Sequence, residues 1–110
     1  MTAKEKLVHG ELLVPPMAED DPKAIEVLRV WVAKGGQHVS INPFVWNEPE
    51  AWGIVLADLA GHLANAYMQE AGLDRQETLR KITELLIAEL KNPTDHARGQ
   101  VHNIRRPHRK

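Results

Sequence analysis

Hydrophobic positions along the first half of the chain predict a β-hairpin. Residues 25–33 have a strand-like pattern rich in Val, Leu, Ile and Trp, and a second apolar run follows the Gly35-Gly36 pair. A Gly-Gly pair between two such runs is typical of a two-residue hairpin turn, because the favoured turns need positive φ. With Gly35-Gly36 at the centre of the turn, Val32 would face Val39.

The predicted register separates the two faces of the hairpin. One face would be apolar and would hold Leu28, Val30, Val32, Val39 and Ile41. The opposite face is mixed and would hold Val27, Arg29, Trp31, His38, Ser40 and Asn42.

Two helices are predicted after the hairpin. The first is expected to begin at Asn47 as N-cap, with Glu50 three residues later as in a capping box, and to end before Gly72. The second is expected to use Asp74 as its N-cap and to end near Lys91, because Asn92 precedes a proline. This second helix is amphipathic in the ordinary way.

The first helix is apolar around most of its circumference when its residues are placed about 100° apart. One side forms an apolar stripe, made of Trp52, Leu56, Leu59, Leu63 and Tyr67. The adjacent small-residue sector holds Gly53, Ala57, Ala60, Gly61 and Ala64. Its polar stripe is only about 60° wide and holds Asp58, His62, Asn65 and Gln69.

A helix with so narrow a polar face is predicted to be buried nearly all round. One hairpin and one amphipathic helix cannot cover that much surface, and an isolated hairpin is itself marginally stable. We therefore predict an α+β domain of ββαα order that is completed by dimerisation, since symmetric dimers are the commonest soluble oligomers.

The two ends of the chain differ from this central domain, which we place at residues 25–91. Residues 1–24 are predicted to form an extended segment, because Pro15-Pro16 argues against a helix. This segment either clamps the domain or a neighbour, or is a loosely ordered end. Residues 92–110 are predicted to form a basic, flexible tail.

Composition limits the class of protein. The chain has 110 residues, the size of a single domain, and no cysteine, which excludes a disulfide framework and a thiolate zinc site. No apolar run approaches the length of a membrane span. We expect a cytoplasmic protein without a membrane partner.

Asp58 and His62 are the pair with the clearest chemical potential, because residues four apart on a helix are neighbours. A carboxylate beside an imidazole could form a general base or contribute to a metal site. The pair could equally be a structural ion pair or hydrogen bond. No third ligand, nucleophile or known catalytic motif accompanies it. We therefore predict no metal and no cofactor, and favour binding over catalysis.

Two groups of residues are candidates for an interface. On the mixed face of the hairpin, Arg29, Trp31 and His38 combine residue types enriched at binding hot spots. On the first helix, Gly53, Ala57 and Gly61 would let another helix approach closely. The alternatives are that Trp31 is covered within the chain, and that the approaching helix is the second helix of the same chain.

The tail suggests a different partner. Residues 1–91 carry a net charge of −5, whereas residues 92–110 carry +4. The basic side chains of the tail are Arg98, Arg105, Arg106, Arg109 and Lys110. They could bind nucleic acid through its phosphates, together with Arg29 and Trp31. The acidic body argues against a dedicated nucleic-acid-binding domain.

Two stretches, Val27–Ala33 and Ala51–His62, resemble a family of small uncharacterised bacterial proteins known as a domain of unknown function. The resemblance covers roughly residues 25–70 and is carried by the Trp31 strand and by the Trp52-Gly53 helix with its Asp58 and His62. It implies no established activity and assigns no functional residue. Taken together, these observations favour a small non-enzymatic interaction or accessory protein acting as a homodimer, with a further protein partner possible.

Overall fold

The computed structural model describes residues 10–94 and, for the backbone alone, residues 101–104. The elements, in chain order, are α1 (Pro16–Asp20), β1 (Leu28–Ala33), β2 (Gly36–Ile41), a 3-10 turn (Pro43–Val45), α2 (Ala51–Ala71), α3 (Arg75–Lys91) and β3 (Val101–Ile104). The predicted α+β order, an antiparallel hairpin followed by two helices, is confirmed. The described helices include none long and apolar enough to cross a membrane.

The hairpin turn lies one residue earlier than predicted. Lys34 and Gly35 occupy its two central positions, with φ of 51° and 75°, as the favoured two-residue turns require. Val32 therefore pairs with Gln37, and Val30 with Val39. The predicted register was wrong by two residues because Lys34, and not Gly36, adopts the left-handed conformation. The faces were still assigned correctly, since a shift of two residues keeps every side chain on its face.

Two prolines at the start of the chain were misinterpreted. Pro15-Pro16 was predicted to exclude a helix, but Pro16 begins α1 and Pro15 is its N-cap. Proline is tolerated at the first helical position, because the N–H that it lacks has no partner in the helix there. The backbone N–H groups of Ala18 and Glu19 both donate to the Pro15 carbonyl, at 2.9 and 3.2 Å.

The predicted start of the first helix was also wrong. Asn47 is not its N-cap, since α2 begins at Ala51 and the flanking Glu50 makes no side-chain cap bond. Overlapping turns fill residues 48–53, where the N–H groups of residues 51–53 each donate to the carbonyl three residues earlier, beginning with Ala51 to Glu48 at 3.0 Å. The predicted end is confirmed: Gly72 is left-handed, with φ of 69°, and its N–H donates to Met68.

The start of α3 agrees with the prediction. The Asp74 carboxylate accepts a hydrogen bond from the Glu77 backbone N–H at 2.9 Å, and the Asp74 carbonyl accepts one from the Thr78 hydroxyl at 2.8 Å. Farther along the exposed face, Arg80 pairs with Glu77 and Glu84. The hydrogen bond from Arg80 lowers the pKa of Glu77, but surface pairs of this kind contribute little to stability.

Replacing Asp74 by Ala should lower the free energy of unfolding by about 1 kcal/mol, because the cap satisfies an N–H that has no partner in the helix. The matched control is Asp74→Asn, which keeps an oxygen acceptor and should cost much less. Urea unfolding at a fixed protein concentration measures both changes. Equal losses for the two variants would show that the cap does not stabilise α3 in this way.

A third strand corrects the predicted flexible tail at four residues. β3 pairs with β2 in parallel, with Val101 opposite Val39 and Ile104 opposite Ile41, and the register shifts between Val39 and Ser40. The basic composition of residues 92–110 masked a short run containing Val and Ile, which are residue types favoured in strands. The sheet order is β1-β2-β3, so β1 is an edge strand.

The interior is very small. Among the described residues, Ala64 is the only buried hydrophobic residue and Thr78 is the only buried polar residue. Both lie on the helix pair, where α2 packs against α3. No large side chain in the described part of the chain is fully buried.

Candidate functional site

The four residues of the α2 polar stripe differ in their burial and contacts. Asn65 is half-buried, and its side-chain oxygen accepts a hydrogen bond of 2.5 Å from Arg75 Nε, so it joins α2 to the first turn of α3. Asp58, His62 and Gln69 are exposed. Within the described residues, no hydrogen bond or ion pair connects Asp58 with His62. The structure therefore brings Asn65 to another element but does not gather the four residues into one site.

The described residues contain no group of three or more His, Asp or Glu side chains arranged to hold a metal ion. Asp58 and His62 lie on the exposed surface of α2, and no described residue joins them as a third metal ligand.

The small-residue sector of α2 faces α3 over only part of its length. A Cβ atom built on Gly61 would lie 3.5 Å from Arg75 Nη2, whereas one built on Gly53 would meet open space. Ala64 is buried, but Ala57 is exposed. The helix that approaches the sector is therefore the second helix of the same chain, and it does so near Gly61 and Ala64 but leaves the sector open near Gly53 and Ala57.

The apolar stripe of α2 is left largely uncovered. Trp52 is half-buried, but Leu56, Leu59, Leu63 and Tyr67 expose between 40% and 51% of their surface. At about 100° per residue, Leu56, Leu59 and Leu63 lie about 80–140° around the helix from Ala64, on a different side from α3, whereas Tyr67 lies only about 60° from Ala64. The sequence pattern predicted that these residues are buried, but a single chain leaves them about half exposed.

The second half of α3 is also apolar and exposed. Its N-terminal half packs as predicted, with Leu79 and Ile82 half-buried. Its C-terminal half exposes four large side chains, which are Leu85, Leu86, Ile87 and Leu90. The helix pair therefore carries far more apolar surface than its own packing uses.

Trp52 connects the end of the sheet to α2. Its indole Nε1 donates a long hydrogen bond of 3.4 Å to the Pro43 carbonyl. Its ring meets Trp46 edge to face, with centroids 5.6 Å apart and planes at 85°, which is a favourable aromatic geometry. These contacts join the first turn of α2 to the segment that follows β2.

The mixed face of the hairpin holds the second predicted interface group. Arg29 donates two hydrogen bonds of 3.0 Å to the Glu26 carboxylate. These bonds raise the pKa of the Arg29 guanidinium. Trp31 lies opposite His38, and both are half-buried. His38 Nε2 is 3.1 Å from the Ala33 carbonyl oxygen. Arg29 is thus already occupied by a carboxylate on its own surface.

A cleft of about 960 Å³ separates residues 10–15 from β1. Its lining is mostly apolar but includes Glu11, Glu26 and Arg29. The N-terminal segment does not fill this cleft, and it exposes 87% of Leu12 and 81% of Met17. This segment was predicted either to clamp the domain or a neighbour or to be a loosely ordered end; in the structure it encloses a space beside β1.

The basic tail residues proposed as phosphate contacts lie outside the residues described by the structure. They are Arg98, Arg105, Arg106, Arg109 and Lys110.

Comparison with known proteins places the chain in a family. No curated protein matches it. A solved structure from the photosynthetic bacterium Rhodopseudomonas palustrus CGA009, described as that of a "putative pyruvate dehydrogenase", is 38% identical, with a TM-score of 0.64. The match covers 82% of this chain and 92% of that one. The model of the family described as a domain of unknown function, DUF5076, matches residues 11–94, which include α3 as well as the stretch that carried the resemblance, and the chain belongs to that family.

Proposed function

We propose that this protein is a small, non-catalytic interaction or accessory protein of the cytoplasm that works as a homodimer. One observation carries the proposal: among the described residues, only one hydrophobic residue, Ala64, is buried. A second copy would supply the missing cover.

The physical argument concerns the balance of folding free energies. Ordering each residue costs about 1–2 kcal/mol of conformational entropy, which burial of apolar surface must offset. Alanine contributes little to that burial. The large apolar residues that would contribute most, on both helices and on the sheet, stay partly exposed in the single chain. A partner that covers them would restore the balance.

A second copy is the simplest partner that fits. A homodimer presents the same patch twice, and two-fold dimers are by far the commonest assemblies of soluble proteins. Apolar patches as extensive as those on α2 and α3 mark interaction sites in proteins that do not aggregate. The cysteine-free chain also suits the reducing cytoplasm.

The alternative functions have less support. The solved relative carries a dehydrogenase name, but the exposed Asp58 and His62 form no acid–base site that would support such chemistry in this chain. Nucleic-acid binding through the mixed face is weakened by the Glu26 carboxylate, which holds the Arg29 guanidinium that would contact a phosphate. Binding through apolar surface is therefore the function that the described residues favour.

Size-exclusion chromatography with light scattering should give twice the chain mass of 12.4 kDa at micromolar concentration. The midpoint of thermal unfolding should rise with protein concentration, because association stabilises the folded state by mass action. A monomer of 12.4 kDa at high concentration, with a midpoint independent of concentration, would remove the proposal.

A further inference from the structure

We propose that the second copy docks on the apolar stripe of α2, with the two α2 helices antiparallel about a two-fold axis that crosses the stripe midway between Leu59 and Leu63. This inference rests on the proposed homodimer and identifies the surface that forms it. Leu59 of each copy would pack against Leu63 of the other.

The stripe is available because α3 occupies another side of α2. Ala64 is buried in the contact with α3, and Arg75 lies over Gly61. Leu56, Leu59 and Leu63 point away from that contact and remain 40–51% exposed. A helix that docks on the stripe would not have to displace α3.

The spacing of the stripe suits a helix as the docking partner. Trp52, Leu56, Leu59 and Leu63 recur at intervals of four, three and four residues. With the further step of three residues to Ala66, the spacing averages about 3.5 residues, the repeat with which two helices pack side by side over several turns. Ala66, the next position of the repeat, is small and would let the ends of the seam approach closely.

The stripe is complementary to itself when the helices are antiparallel. A two-fold axis midway between Leu59 and Leu63 makes each of these residues the counterpart of the other, and it brings Leu56 opposite Ala66. No charged residue lies on the stripe between Trp52 and Ala66. The antiparallel arrangement also sets the positive end of each helix dipole beside the negative end of its neighbour.

The cleft beside β1 is a poorer seat for a second copy. Its lining includes the charged residues Glu11, Glu26 and Arg29, whereas the centres of protein interfaces are depleted of charge. The apolar stripe, in contrast, carries no charged residue between Trp52 and Ala66.

Spin labels offer a direct measurement, because a chain without cysteine is labelled only at introduced positions. One variant carries a label at His62, beside the axis, and the other carries it at Glu50, before α2. In the antiparallel dimer, labels at His62 should be about 20 Å apart or less. Labels at Glu50 should be more than about 30 Å apart, because the helix rises 1.5 Å per residue on either side of the axis.

Each other arrangement gives a different pair of distances. Short distances at both positions would indicate parallel helices and overturn the register proposed here. Long distances at both positions would show that the copies meet elsewhere, for example along β1, and would overturn the stripe as the interface. Either result would leave the homodimer itself intact.

A charge on the stripe provides an independent test. Leu59→Glu should raise the dimer dissociation constant by about 100-fold or more, since an ionised carboxylate cannot be buried at an apolar seam without a partner. Gln69→Glu adds the same charge on the exposed polar stripe of the same helix and should change it less than about threefold. Equal dissociation constants would overturn the inference. If Leu59→Glu fails to fold, the label distances in the other variants decide the question.

Discussion

Replacing Ala64 by Glu is expected to lower the free energy of unfolding by about 4 kcal/mol, the cost of a buried charge that has no partner. Ala64 is fully buried where α2 meets α3, with 0% of its surface exposed. A glutamate there would either lose its hydration or force the two helices apart. Urea unfolding at a fixed protein concentration, followed by circular dichroism, measures the loss.

The matched control is Ala57→Glu. Ala57 belongs to the same small-residue sector of the same helix, but it is exposed because α3 does not cover that end of the sector. We expect this change to alter stability by no more than about 0.5 kcal/mol. Comparable losses at both positions would mean that α3 covers the whole sector, contrary to the structure.

Removing the indole of Trp52 is expected to cost about 3 kcal/mol, toward the lower end of what truncating an aromatic residue to alanine costs in a core, since Trp52 is only half-buried. Trp52→Ala would delete the edge-to-face contact with Trp46 and the hydrogen bond to Pro43 together. Chemical denaturation at one protein concentration gives the change in stability.

Trp52→Phe separates the two contributions. It keeps an aromatic ring beside Trp46 but has no N–H to donate, so we expect it to cost only about 1 kcal/mol. A loss as large as that of Trp52→Ala would assign the effect to the hydrogen bond with Pro43. A negligible loss for both variants would show that this junction does not hold α2 to the sheet.

Local chemistry made some boundaries predictable and others not. Asp74 and Gly72 were recognised because each satisfies backbone groups within a few residues of itself. Asn47 and Pro16 were misjudged because a capping residue or a proline fits several local geometries. The hairpin faces survived an error in register because a side chain returns to the same face every second residue.

The candidate site was predictable only as a pattern around one helix. The spacing of residues gave the apolar stripe, the small-residue sector and the polar stripe, each as a side of α2. It could not show that Arg75, from the next helix, would choose Asn65 out of the four polar residues. It also left open whether α3 would cover the sector or the stripe, since that depends on the angle at which the two helices meet.

The place of β3 in the sheet has a consequence for the order of folding. The β1–β2 turn and the α2–α3 connection join residues that are close in sequence, whereas β3 must find β2 across about 60 residues. Contacts between distant residues form slowly, because the intervening chain loses entropy when its ends are brought together. The β1–β2 hairpin and the α2–α3 pair should therefore form before β3 docks on β2 and completes the three-stranded sheet.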